Sequence, residues 1–85
     1  MPEISRFHGI VITMYHNEHG APHFHAVYAG QRTAIDIHTG SVRGPLPPPT
    51  RRLVLEWLSL HRRELLDNWE LARRRKLLRP VAPVE

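Results

Sequence analysis

The 85-residue sequence predicts an α+β domain, with a three-stranded antiparallel β-meander packed against one long C-terminal α-helix. Short β-branched and aromatic runs, separated by loops that contain Gly or Pro, fill the first half. A proline-rich stretch follows at 44–49, and residues 50–79 contain neither Gly nor Pro. We therefore divide a single domain into a meander (1–43), a Pro-rich connector (44–49), a helix (50–76) and an extended tail (77–85).

Three runs in the first half have the composition of strands. Residues 9–15 are rich in β-branched side chains, residues 23–28 alternate with period two, and residues 32–38 follow after a short Gly-containing loop. Connections this short join antiparallel neighbours. The sequence therefore predicts a meander.

The hairpin between the second and third strands needs a loop with an even number of residues, because a one-residue slip turns every side chain to the opposite face. A loop at 30–31 pairs His23 with His38, and a loop at 29–30 pairs His23 with Asp36. Both registers place four polar side chains together on one face, away from the expected core: His23, His25, Asp36 and His38.

The second half changes to a helical period. Thr50 follows three prolines, which favour an extended path, and is a reasonable N-cap. Apolar side chains then recur within one sector of a helix, and the sequence leaves open a bend near residues 61–63. The apolar sector contains Val54, Leu58, His61, Leu65, Trp69 and Ala72.

The apolar arc of this helix is broader than one sheet contact needs. Two interpretations remain open: the strands and the tail wrap around the helix, or a homodimer or a partner protein covers the surplus. Under the second interpretation, the partner-binding residues are Leu53, Trp57, Leu60 and Leu71.

Composition and charge limit the classes of function. The absence of Cys excludes disulfides and thiolate metal sites. No apolar run is long enough to span a membrane and no leader opens the chain, so we expect a cytoplasmic protein without membrane contact. The net charge is +4, all of it carried by residues 51–85, whereas six of the seven histidines precede residue 40.

The histidine-rich face is compatible with a purely structural role and with several chemistries. His19, His23 and His25 could hold a divalent metal such as zinc. The four polar side chains of the strand face could instead act as general acid and base on a phosphodiester, as in a ribonuclease, or in a metal-assisted hydrolase. The sequence does not decide whether the protein is an enzyme.

Contact with RNA or DNA is a further alternative. Tyr15 and Tyr28 supply aromatic rings near the histidines. A cationic cluster at the end of the helix could bind phosphate, although cations there also complement the helix dipole. The cluster consists of Arg73, Arg74, Arg75 and Lys76.

Several blocks carry a family resemblance, of which Pro22-His23-Phe24-His25-Ala26 is the most specific. With residues 1–7, 9–12, 14–15, 35–37, 39–40 and 53–69, this block resembles the small bacterial domain-of-unknown-function family 4160, over about residues 1–75. Members are often encoded beside another small protein in what look like toxin–antitoxin pairs. The resemblance implies an operon-neighbour protein as partner and nucleic-acid contact, and it supplies no catalytic residues.

Overall fold

The computed structural model describes residues 3–16 and 19–84, and shows an antiparallel sheet of five strands with one long C-terminal helix. The α+β class is confirmed, and the predicted number of three strands is wrong. Five residues lie outside the described part of the chain: Met1, Pro2, Asn17, Glu18 and Glu85. The start of the predicted meander and the last residue of the predicted tail are among them. The elements are β1 (Glu3–Phe7), β2 (Ile10–Thr13), β3 (His23–Tyr28), β4 (Gln31–Asp36), β5 (Val42–Arg43) and α1 (Pro48–Arg73).

The strands are ordered β1-β2-β3-β4-β5, and each pairs antiparallel with its neighbour. The β3–β4 hairpin turns at Ala29-Gly30, where both residues have positive φ (52° and 78°), as a two-residue turn that follows the sheet twist requires. This turn pairs His23 with Asp36. The second of the two predicted registers is therefore the one adopted.

The two strands that the sequence did not predict lie at the edges of the sheet. β1 is irregular, because its register with β2 shifts between Glu3 and Ser5, and it contains charged residues. A second turn with positive φ at both residues, His8-Gly9, joins it to β2. β5 is only two residues long and pairs with Ala34 and Ile35. β1 mixes charged with apolar residues and β5 has only two residues, so neither run stands out locally.

The core lies between α1 and one face of the sheet, which we call the covered face. Trp57 of α1 is 0% exposed, and its ring lies 5.4 Å from that of Phe7 and 5.6 Å from that of Phe24. Aliphatic side chains from both layers surround these rings and exclude water. The largest of them are Ile10, Ile12, Ile35, Ile37, Val54, Leu58 and Leu65.

The helix begins two residues before the predicted Thr50. Pro47 is the N-cap and prolines occupy the first two helical positions, where the missing N–H would have no partner within the helix. The helix ends at Arg73, before the predicted Lys76, and Arg75 has a φ of +56°. Non-helical dihedrals at His61 (φ −125°, ψ 20°) show a bend at the position where the sequence had left one open. Among the described residues, no helix is long and apolar enough to cross a membrane.

The tail after the helix folds back across the molecule. Asn68, which is buried in α1, bonds Arg79 twice: its Nδ2 donates to the carbonyl of Arg79 and its Oδ1 accepts the N–H, both at 2.9 Å. The Trp57 indole donates to the carbonyl of Ala82 at 2.8 Å, and the N–H of Val81 donates to the carbonyl of Ile4 at 2.8 Å. The tail therefore covers part of the apolar arc, as the first interpretation expects.

Candidate functional site

The sheet face opposite the helix, which we call the open face, collects the cations of the first half of the chain. Strand alternation and the observed register place the arginines of β1, β4 and β5 on it. Most of its side chains are exposed or half-buried. The open face is formed by Glu3, Arg6, Val11, Thr13, His23, His25, Val27, Arg32, Ala34, Asp36 and Arg43.

A continuous row of ring contacts, which we call the aromatic strip, crosses this face and reaches the helix. The Arg32 guanidinium carbon lies 5.7 Å from the centre of the Tyr15 ring, within cation–π range. The ring centres of Tyr15 and His25 are 5.6 Å apart, those of His25 and His23 are 5.3 Å apart, and those of His23 and Trp69 are 5.1 Å apart. The strip therefore joins β4 to the last turns of α1.

The two ends of the strip differ in exposure. His23 is 9% exposed and Trp69 is 6% exposed, so these rings hold the loop before β3 against the helix. The Nδ1 of His23 donates to the carbonyl of Ala21 at 2.9 Å, and because a carbonyl only accepts, Nδ1 carries the proton. Tyr15 and His25 are half-buried and Arg32 is exposed. These last three residues form the part of the strip that a ligand can reach.

A pocket of about 410 Å³ lies beside His23, the ring of the strip next to Trp69, and we call it the end pocket. The segment before β3 forms one wall and the turn after β4 forms another, and the N–H of Ile37 joins them by donating to the carbonyl of Pro22 at 3.0 Å. The Nε of Arg62 donates to the carbonyl of Ile37 at 2.9 Å, which ties the helix to the same turn. The lining residues are His19, Gly20, Ala21, His23, Asp36, Thr39, Ser41 and Arg43.

Asp36 organises the turn that follows β4. Its Oδ1 accepts the backbone N–H groups of His38 at 2.8 Å and Thr39 at 2.9 Å. The bond from the Thr39 N–H is the main cause that lowers the pKa of Asp36, and the bond from the His38 N–H acts in the same direction. Asp36 is therefore ionised at neutral pH with one oxygen directed into the turn.

The structure brings three of the four predicted polar side chains onto one face. His23 and His25 are in ring contact and Asp36 faces His23 across the β3–β4 pair. β4 ends at Asp36, so His38 lies in the following turn, where its side chain is exposed. The predicted face thus extends only to the end of β4, because the Asp36 carboxylate bonds the turn instead of continuing the strand.

The residues predicted to bind a metal do not form a common site. His19 and His23 line the end pocket, whereas His25 contacts Tyr15 and does not line it. In residues 3–16 and 19–84, no group of three or more His, Asp or Glu side chains is placed to hold a metal ion. Zinc binding therefore gains no support from the geometry.

The cationic cluster at the end of α1 lies at the same end of the molecule as the end pocket. Arg73 pairs with Glu70 at 2.9 Å, and the carbonyl of Lys76 accepts a bond from Nε2 of His16 at 3.1 Å. A second pocket of about 410 Å³, on the helix side of His19 and Gly20, is lined by Arg73 and Trp69. All four cations of the cluster are exposed.

The residues predicted to bind a partner have different surroundings. Trp57 belongs to the core, so its prediction as a partner contact is wrong in this fold: Phe7, Phe24 and the tail enclose it. Leu53 and Leu71 are half-buried, and Leu60 is 67% exposed. Leu60 is therefore the one residue of the four that is largely free to meet a partner.

Sequence reasoning missed the contribution of Arg32 and Arg43 to this surface and misjudged Tyr28. Tyr28 packs against the core, so it is not a neighbour of Tyr15 on the open face. The signal for Arg32 was present, since period-two alternation from the 29–30 hairpin puts Arg32 on the face of His25. Arg43 could not be found in this way, because β5 was not predicted.

The fold and this surface define a small single-sheet α+β domain with a basic, aromatic open face. A family model described as Domain of unknown function (DUF4160) matches residues 9–70, and the chain belongs to this family. The match begins after β1 and ends before the tail, the two segments that bond each other at Ile4 and Val81. Comparisons with curated proteins and with solved structures give no significant match.

Proposed function

We propose that this protein is a small cytoplasmic component of a bacterial toxin–antitoxin-like pair, and that it contacts single-stranded nucleic acid through its open face. The observation that carries the nucleic-acid part is the aromatic strip, because its reachable members combine a guanidinium with two rings: Arg32, Tyr15 and His25. The partner protein is the product of the neighbouring gene in the same operon.

The chemistry of the strip suits unpaired bases. Stacking of a base on an aromatic side chain contributes about 1–3 kcal/mol and tolerates any sequence, because every base has a π-face. Arg32 lies beside Tyr15, where its charge can meet the phosphate that follows a stacked base. The cationic cluster after α1 extends the positive surface at the far end of the strip. An extended strand is the form of nucleic acid that such a surface fits.

Binding fits the polar face better than catalysis does. His23 is almost fully buried, with Nδ1 bonded to Ala21 and its ring against Trp69. The Asp36 carboxylate that could orient an imidazole instead bonds the turn. These contacts give both residues a structural role, and they favour the non-enzymatic proposal over the ribonuclease alternative.

Fluorescence anisotropy with labelled single-stranded RNA and DNA of about 12 nucleotides tests the nucleic-acid part. Tyr15→Ala should weaken binding about 5- to 100-fold through lost stacking. Arg32→Gln should lower the slope of log affinity against log salt by about 0.7, since one phosphate contact is lost. Arg52→Gln, an exposed arginine of α1, is the matched control and should change affinity little.

Two results would contradict this part of the proposal. Equal weakening by Arg32→Gln and Arg52→Gln would mean that only the net charge attracts the strand. Cleavage of the RNA by the wild-type protein, lost in a His23→Ala/His25→Ala double variant that keeps its fold, would establish the ribonuclease alternative instead.

The protein–protein part is tested by co-expression with the operon neighbour. Leu60 and Leu77 are the two strongly exposed large apolar side chains of the described chain, at 67% and 92%. Leu60→Asp should reduce complex formation by at least tenfold, because it places a charge on the helix surface, whereas Leu77→Asp in the tail is the matched control. If no complex with the neighbour forms, or if both variants lose the complex equally, Leu60 does not bind a partner from this operon. Self-association of the isolated chain would favour a homodimer instead.

A further inference from the structure

The end pocket combines groups that the proposed open-face contact does not use. Arg43 enters it from β5, Ser41 from the turn before β5, and His19 from the segment before β3. These side chains supply a guanidinium, a hydroxyl and an imidazole from separate segments of the chain, and the Asp36 carboxylate lines the same pocket with its Oδ1 bonded to the turn. Convergence of such donors on one cavity is typical of sites for anionic ligands.

Within the described part of the chain, no partner is present for the charge of Arg43. Across residues 3–16 and 19–84, its guanidinium forms neither an ion pair nor a hydrogen bond. Asp36 is the nearest acid in the register, two residues along β4 from Ala34, the residue that Arg43 faces. The Asp36 carboxylate bonds the backbone N–H groups of His38 and Thr39 and does not pair with Arg43. The guanidinium is therefore left for a ligand.

The size and position of the pocket indicate which part of a ligand it takes. Its volume of about 410 Å³ lies within the range of small-molecule sites, about 300–1,000 Å³, and exceeds what a lone phosphate needs. His23 lines the pocket and also contacts His25, so the pocket adjoins the aromatic strip beside its buried end. A strand that lies along the strip would end in this pocket.

We infer that the end pocket binds the phosphomonoester of a terminal nucleotide, with Arg43 and Ser41 as donors to the phosphate. A monoester carries about 1.5 to 2 negative charges at neutral pH, more than an internal phosphate, so it gains most from an unpaired guanidinium. This inference deepens the proposed function and depends on it for the strand, but the pocket can also be tested with a mononucleotide alone.

The first experiment compares three RNA oligonucleotides of one sequence, which carry a 5′-phosphate, a 3′-phosphate or no terminal phosphate. We expect one phosphorylated form to bind at least fivefold more tightly than the unphosphorylated form. Arg43→Gln should abolish this preference, and Ser41→Ala should reduce it. Arg6→Gln is the matched control, because Arg6 lies on the same face but already pairs with Glu3 at 2.9 Å, and it should leave the preference intact.

Equal affinity of the wild-type protein for all three oligonucleotides would overturn the inference, and so would a preference that survives Arg43→Gln. The second experiment titrates adenosine 5′-monophosphate and follows backbone amide NMR shifts. Shifts at Thr39, Ser41 and Arg43 that disappear in Arg43→Gln would support phosphate binding in the pocket. They would do so even if no oligonucleotide binds, because the failure of oligonucleotide binding would reject only the open-face proposal. The absence of shifts there in the wild-type protein would reject the pocket.

Discussion

The two faces of the sheet come from the same strands and have opposite roles. On β3, Phe24 points to the covered face, where its ring meets Trp57, and the next residue, His25, points to the open face, where its ring meets Tyr15. The covered face gains its free energy from apolar burial against the helix and the tail. The open face is held by neighbouring side chains of its own sheet, so most of its residues stay within reach of a ligand. Stability and binding can therefore be altered separately in this protein.

The largest expected effect breaks the covered face. Trp57→Ala should lower the free energy of unfolding by about 3–5 kcal/mol, since it removes a fully buried ring. Tyr15→Ala, the equivalent truncation on the open face, should cost much less because Tyr15 is only half-buried. Urea denaturation followed by circular dichroism measures both.

Trp57→Phe keeps the comparison usable if the alanine variant does not fold. It retains a ring in the core and removes the indole bond to Ala82. The free energy of unfolding should therefore fall by less than in Trp57→Ala and by more than in Tyr15→Ala. A loss for Tyr15→Ala as large as that for Trp57→Ala would mean that the two faces do not differ in the way described.

A smaller effect is expected where the tail covers the helix. Asn68→Ala removes both hydrogen bonds to Arg79 and should lower the free energy of unfolding by about 1–3 kcal/mol. Amide hydrogen exchange should become faster at Val81, whose N–H bonds Ile4, while Phe24 in the central strand keeps most of its protection. Unchanged exchange at Val81 would show that the tail is held without Asn68.

The smallest effect concerns pH and the edge of the open face. The pKa of Asp36 is lower in the folded protein than its ordinary value of 3.8, mainly because of the Thr39 N–H. Its ionised form therefore stabilises the fold fully above pH 3.8, and this contribution is lost as the pH falls through the folded-state pKa. Asp36→Asn can still accept the turn N–H groups, so it should keep the turn and flatten the fall in stability below pH 4.

Thermal unfolding measured between pH 2.5 and 6 tests this expectation. Asp67→Asn, on the exposed surface of α1, is the matched control. If the stability of Asp36→Asn falls with pH as steeply as that of Asp67→Asn and of the wild-type protein, protonation of Asp36 contributes nothing to the loss of stability in acid.

The parts of the fold that could be predicted are those with a strong local pattern. β3 begins and ends where the period-two alternation does, at His23 and Tyr28. The 29–30 turn was one of two alternatives because only an even loop keeps both apolar faces together. β1 escaped prediction because it mixes charged with apolar residues, and because His8-Gly9, which has positive φ at both residues, is not one of the usual dipeptides of such turns. The prolines before Thr50 were interpreted as a connector, yet Pro48 and Pro49 are compatible with a first helical turn.

The candidate site was predictable only in part. Alternation brought His23, His25 and Asp36 to one face, but it could not show that Asp36 bonds the turn after β4. The end pocket also needs Arg43, which reaches it through a two-residue strand with no distinctive sequence. Side-chain bonds and short edge strands depend on neighbours that are brought close only by the completed sheet.

The sequence by itself determined which side chains of β3 and β4 share a face, that a two-residue turn lies within residues 29–31, and that one long helix follows the strands. These properties follow from periods of two and 3.6 residues and from the dihedrals that Gly and Pro allow, so they are local. The tertiary structure alone decided which face the helix covers, where the tail lies and which side chains meet in the end pocket. Contacts such as Asn68 with Arg79, His23 with Trp69 and Trp57 with Ala82 join residues far apart in the chain, and only the docking of the helix and the tail onto the sheet brings them together.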